Sequence, residues 1–94
     1  MEFDWDPNKA TANLAKHGID FVAAIAVFDD PDCVIEDSSR PEHGETRSIA
    51  IGKLRDGRIV TVVFTDRGDF RRIISVRTAR RYERRKYDQG EATA

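Results

Sequence analysis

A length of 94 residues suffices for one hydrophobic core and leaves no room for a separate regulatory module. Apolar residues at 39% beside charged residues at 35% supply that core under a heavily charged surface, which argues against a disordered chain. The net charge of −1 hides a lopsided distribution: acids dominate residues 1–46, whereas Arg67, Arg71, Arg72, Arg77, Arg80, Arg81, Arg84, Arg85 and Lys86 face only Asp69 and Glu83, a footprint for polyanions or an acidic partner.

The acidic start (Glu2, Asp4) lacks the basic-then-apolar pattern of a secretory signal, and no run approaches the roughly 18 apolar residues of a membrane span, so a cytoplasmic location is expected. Phe3 to Trp5 reads as a short strand. Asp6 then caps a helix with Pro7 at its first position and Gly18 as its left-handed stop. Asp20 caps a shorter helix over residues 21–28, with Phe21, Ala24, Ile25 and Phe28 forming an apolar stripe. The acidic group Asp29, Asp30, Asp32 lacks the glycine and distal glutamate of a calcium loop.

From Cys33 the period becomes that of strands: residues 33–37, then 46–54 beyond the polar loop 38–44. Cys33 reads as a small buried strand residue, since one cysteine forms neither an internal disulfide nor a Cys-x-x-Cys pair. His17 and His43 stand too far apart for zinc spacing. No metal and no cofactor is expected. An Asp56-Gly57 turn leads to a strand over 59–65, and a second turn at 66–69 leads to one over 70–76. Thr78 then caps a last helix ending near Tyr87.

This order predicts an α+β domain over residues 1–89 with a disordered tail at 90–94. Its sheet is mostly antiparallel, with about four to five strands, the two N-terminal helices on one face, and a C-terminal helix. Strand parity places Val60, Val62, Phe64, Ile74 and Val76 toward the helices, with Arg72 on that same parity. Thr61, Val63, Thr65, Arg71, Ile73, Ser75 and Arg77 then share the opposite face.

Guanidinium groups beside hydroxyls suit phosphodiesters, because each fork donates two hydrogen bonds to one phosphate. RNA is therefore the natural substrate class. Metal-free RNA cleavage needs a base for the 2′-hydroxyl, a cation for the phosphorane charge and an acid for the 5′-oxygen. Arg67, Arg72 and Arg77 suit the cationic role, and His17, Lys16, Glu83 and Tyr87 are the proton-transfer candidates. Each has a structural alternative: His17 and Lys16 at a helix C-terminus, Glu83 in an intrahelical pair with Arg80, Arg72 in a salt bridge. From these residues alone, an RNA-binding module without catalysis is as good a reading as a nuclease.

Two segments go further. WDPNKATANLAKHGIDF (residues 5–21) and RRIISVRTARRYERRKY (residues 71–87) closely resemble the BrnT family of toxins, and the intervening Phe28-Asp29-Asp30-Pro31, Gly44-Glu45-Thr46-Arg47, Ile51-Gly52 and Val63-Phe64-Thr65-Asp66-Arg67 fall where that family has related features. Val76 departs from the common Ser-Ala-Arg. The resemblance implies a RelE-like fold and a ribonuclease toxin of a type II system, neutralised by a ribbon-helix-helix antitoxin that alone reads the operator DNA and represses the operon with the toxin. With it, the candidate catalytic set is Lys16, His17, Arg72, Arg77 and Glu83. The candidate RNA contacts are Arg47, Arg67, Arg71, Arg80 and Tyr87, and Glu45 also lies on the matched pattern. The arginine face or the basic last helix is the expected antitoxin interface, where an acidic segment would mimic RNA.

Overall fold

The computed structural model describes residues 1–93, with side chains as far as Gly90. Of the tail expected at 90–94, the backbone of 90–93 is described, as the end of a helix, and residue 94 lies outside the described residues. The N-terminal signals act as read. Strand β1 (Glu2–Asp4) precedes helix α1 (Pro7–His17), where the Asp6 carboxylate accepts the Asn8 N–H at 2.8 Å and Gly18 closes the helix at φ 69°. Only a residue without Cβ adopts that left-handed turn at no cost. Asp20 caps α2 (Phe21–Ala24) by accepting the Val22 N–H at 2.8 Å, and the chain tightens into a 3₁₀ turn over Ile25–Asp29.

Strands β2 (Val34–Asp37), β3 (Ser48–Lys53), β4 (Ile59–Arg67) and β5 (Phe70–Thr78) form with β1 one sheet of order β1-β5-β4-β3-β2. All pairs are antiparallel except β1 with β5. The main core lies between one face and the N-terminal helices, where Ile19, Phe21, Ala24 and Val27 meet Val62, Phe64, Ile73 and Val76. A smaller core on the other face joins Ile51 and Ile59 to Tyr87 of helix α3 (Arg81–Thr93). The sheet thus has helices on both sides. Among the described residues no helix is long and apolar enough to cross a membrane.

Two expectations are corrected. Simple alternation along β5 fails, because Val63 pairs with Ser75 while Phe64 pairs with Ile73, leaving Ile74 as a β-bulge. One extra residue reverses parity below the bulge. Ile73, not Ile74, joins Val76 in the core, Arg71 turns toward the helices, and Arg72 turns to the opposite face. Strand β5 also continues through Thr78, so α3 begins at Arg81 and passes Tyr87 to reach Thr93. Thr78 caps nothing there. Instead Glu83, in the third position of α3, reaches back to accept the Arg80 N–H at 2.9 Å, half of a capping box.

Candidate functional site

Above the bulge, β5 presents Ile74, Ser75 and Arg77 to the face that α3 only partly covers. Arg77 sends both terminal guanidinium nitrogens to Glu83, at 2.6 and 2.9 Å. Glu83 is fully buried. Burial pushes its carboxyl pKa up, but hydrogen bonds from Arg77 and the Arg80 N–H, with the Arg77 charge, outweigh that and hold it below the ordinary carboxylate value. The same pair raises the Arg77 pKa against the opposing effect of burial. Glu83 is therefore a fixed anion that aims Arg77, and its ion partner lies across elements rather than at Arg80.

The loop between β2 and β3 folds over this strand. Its base is tied where Ser38 N–H donates to the Arg47 carbonyl at 2.9 Å and Ser39 Oγ accepts the Arg47 N–H at 2.9 Å. Between those ties a 3₁₀ turn, Pro41–His43, presents Arg40 and His43. They join Arg47, Arg77, Arg80 and Tyr82 around a cavity of about 360 Å³ whose floor includes Ile74 and Ser75. Four arginines thus line one cavity together with Glu83, the carboxylate that Arg77 engages. Two polar atoms here, His43 Nδ1 and Arg47 Nε, are shielded from solvent without a hydrogen-bond partner among the described residues. Arg47 Nε lies 3.6 Å from Glu45 Oε1, too long for a hydrogen bond.

Lys16 and His17 reach the same ridge from the other side. They line a neighbouring cavity of about 240 Å³ with Lys9, Ala12 and Asn13, and it too is floored by Ile74 and Ser75. Lys16, His17, Arg47, Arg77, Arg80 and Glu83 are therefore brought together along one strip. The other expected residues are not. Arg72 pairs with Asp4 of the adjacent β1 at 3.3 Å and lines neither cavity. Arg67 donates to Glu45 at 2.9 Å, which holds Glu45 below the ordinary carboxylate value, and neither residue lines the two cavities.

Arg71 lies on the helix side, its guanidinium 4.9 and 4.5 Å from the Phe28 and Phe64 ring centres and bidentate to Asp66 at 2.7 and 3.0 Å. Tyr87 is buried, and its hydroxyl donates to Asp30 at 2.8 Å. Asp30 accepts the Asp32 and Lys53 N–H groups as well, so the acidic cluster ties a loop to β3 and α3. Sequence reading missed Arg40, His43 and Tyr82. The only signal for the first two was a basic residue recurring at 40, 43 and 47 in an otherwise polar loop. A larger cavity, about 630 Å³, lies between α2, the following 3₁₀ turn and the β3–β4 turn. It is lined by Val22, Ala23, Ile25, Ala26 and Leu54 and by charged residues of both signs, Asp20, Asp29, Arg55, Asp56 and Arg58, the last two paired with each other at 2.8 Å.

Residues 5–83 match the model of the family described as ribonuclease toxin, BrnT, of type II toxin–antitoxin system. The fold matches the 1.1 Å crystal structure of the Brucella abortus ribonuclease toxin BrnT, with TM-score 0.69 and 29% sequence identity, over 86% of this chain and 99% of that one. No curated protein sequence matches the chain.

Proposed function

The chain belongs to the BrnT family of ribonuclease toxins of type II toxin–antitoxin systems, and from that premise we propose that it is a metal-independent endoribonuclease acting at the arginine cleft. The observation that carries this reading is that Arg40, Arg47, Arg77 and Arg80 line one cavity with Ile74 and Ser75. A phosphodiester seated in that cavity meets preset donors, with no reorganisation at the moment its charge grows, and a lost donor of this kind costs about 10²–10³-fold in rate. Arg77, aimed by Glu83, binds the phosphate. Arg47 and Arg80 flank it, and Lys16 and His17 assist proton transfer from the neighbouring cavity. Arg71, Arg72 and Tyr87 act as framework residues, each engaged with a carboxylate outside the cleft.

Family membership implies an antitoxin partner. In the proposed system the antitoxin is a ribbon-helix-helix protein that carries the operator-binding surface and, with the toxin, represses their operon. An acidic antitoxin segment enters the arginine cleft in place of RNA, so raising salt from 50 to 500 mM is expected to speed dissociation of the complex. An affinity indifferent to salt removes that interface.

The test is incubation of a defined RNA with the purified chain in EDTA, with and without the co-encoded antitoxin, beside an Arg47→Ala/Arg80→Ala variant. These two arginines are chosen because their loss leaves the buried Glu83 paired. Cleavage blocked by antitoxin and reduced at least tenfold in the variant supports the reading. Intact RNA at high protein concentration, free or on translating ribosomes, replaces it with an antitoxin-binding subunit that lacks catalysis.

A further inference from the structure

We propose that His43 is a catalytic base of this protein, a role that rests on the ribonuclease reading and adds to it the residue that takes the 2′-hydroxyl proton. His43 closes the 3₁₀ turn Pro41–His43, with its N–H bonded to the Arg40 carbonyl at 3.0 Å, so the imidazole is carried on a fixed turn. It lines the arginine cleft. Its Nδ1 is shielded from solvent with no hydrogen-bond partner among the described residues, which leaves Nε2 as the ring nitrogen open to a substrate atom in the cleft. Imidazole is also the side chain that gives and takes protons near neutral pH. The groups around it are Arg40 and Arg47 on its own loop, Arg77 from β5, and Arg80, Tyr82 and Glu83 from the start of α3. The arginines carry no acceptor, and both Glu83 oxygens are occupied by Arg77, one of them also by the Arg80 N–H, so neither offers a free lone pair to the 2′-hydroxyl.

In-line displacement at phosphorus needs the attacking and departing oxygens on opposite sides. His43 and His17 line two cavities that share Ile74 and Ser75, and the proposed site seats the phosphate at those shared residues, between the two histidines. The 2′-hydroxyl proton passes to His43 as the O2′–P bond forms. The P–O5′ bond then breaks and the 5′-oxygen takes a proton from the His17 imidazolium, leaving a 2′,3′-cyclic phosphate and a 5′-hydroxyl. Exchange with solvent returns both imidazoles to their starting states.

The experiment is single-turnover cleavage of a labelled oligoribonucleotide between pH 5 and 9 by the wild-type chain, His43→Gln, and His43→Ala with and without added imidazole. Binding of the same oligonucleotide carrying 2′-deoxyribose at the cleaved position is measured alongside. Expected for His43→Gln is a loss of about 10²-fold or more, disappearance of the fall in rate toward acid pH, and unchanged binding of the deoxy analogue. Imidazole restores part of the rate to His43→Ala. Wild-type rate and pH profile in His43→Gln overturn the role of His43 while leaving the ribonuclease reading intact. A loss of cleavage matched by an equal loss of binding, with no imidazole rescue, overturns it as well. An inactive wild-type chain overturns the ribonuclease reading itself.

Discussion

Asn13 of α1 uses its side-chain amide as a substitute strand for Val76 of β5: Nδ2 donates to the Val76 carbonyl at 2.9 Å and Oδ1 accepts the Val76 N–H at 3.1 Å. Strand β1 pairs with β5 only at residues 70–72, so Val76 lies on an edge with no strand to complete it. A further bond from Nδ2 to the Ile19 carbonyl, at 3.2 Å, fixes the turn after α1. The same amide therefore docks the helix whose last turn carries Lys16 and His17 beside the Ile74–Ser75 ridge. Asn13→Ala is expected to cost about 2–4 kcal/mol, because buried backbone groups lose their partners. Asn13→Asp costs more, since a carboxylate repels the Val76 carbonyl. Urea unfolding measures both, and a change under 0.5 kcal/mol for Asn13→Ala rejects this role.

Glu83 makes stability depend on acid. Its folded pKa lies below the ordinary carboxylate value, so its contribution is complete above that ordinary value and is lost as pH falls through the folded one. Melting temperature is expected to fall from pH 5 to pH 3 more steeply in the wild type than in Glu83→Gln, which lacks this titration. Parallel slopes refute the assignment.

The N-terminal half was legible because its signals are local: Asp6-Pro7, Gly18 and Asp20 act through hydrogen bonds two to four residues away. The face occupied by Arg71 and Arg72 was not, since the bulge at Ile74 is a property of the pairing between β4 and β5 and leaves no mark on the residues themselves. Arg77 and Glu83 both stood out in the sequence as candidates. Their union did not, because the i, i+3 spacing from Arg80 offered a nearer partner than the sheet supplies. The position of His43 was hidden for a similar reason, since a loop that folds back over the sheet brings it beside Arg77.

Arg77 cannot be judged by simple truncation. Arg77→Ala removes the cleft cation and also leaves the Glu83 carboxylate, which is fully buried, without its counter-ion, at a cost of about 3–5 kcal/mol. Arg77→Ala/Glu83→Ala is expected to recover at least half of that stability while remaining inactive on RNA. Thermal unfolding of the two variants separates folding from chemistry. Cleavage by the double variant at the wild-type rate removes Arg77 from the site.

Cys33 is expected to be inert. Burial first, and the nearby Asp30 charge second, push its thiol pKa up to about 11, so about one molecule in a thousand carries the reactive thiolate at pH 8. Iodoacetamide should label the native protein at least tenfold more slowly than the urea-unfolded chain. Equal rates contradict the burial described.

Among the glycines, Gly52 has the least room for a side chain, where β3 passes under the 3₁₀ turn at Val27. A Cβ on Gly52 meets Val27 Cγ1 at 2.8 Å, the Val27 carbonyl at 3.3 Å and Asp30 Oδ2 at 3.4 Å. The first contact is with a branched, fully buried side chain and the second with backbone, so neither moves away freely. Gly52→Ala is expected to destabilise by about 1–3 kcal/mol. The effect also reaches the Asp30 carboxylate, which accepts the Lys53 N–H and the Tyr87 hydroxyl at 2.9 and 2.8 Å and so joins this turn to α3. If the clash with Cγ1 is the cause, Val27→Ala, destabilising by itself, adds little further loss in the Gly52→Ala background, and a double-mutant cycle gives a coupling of about 1 kcal/mol or more. Additive losses locate the strain in the backbone contact instead.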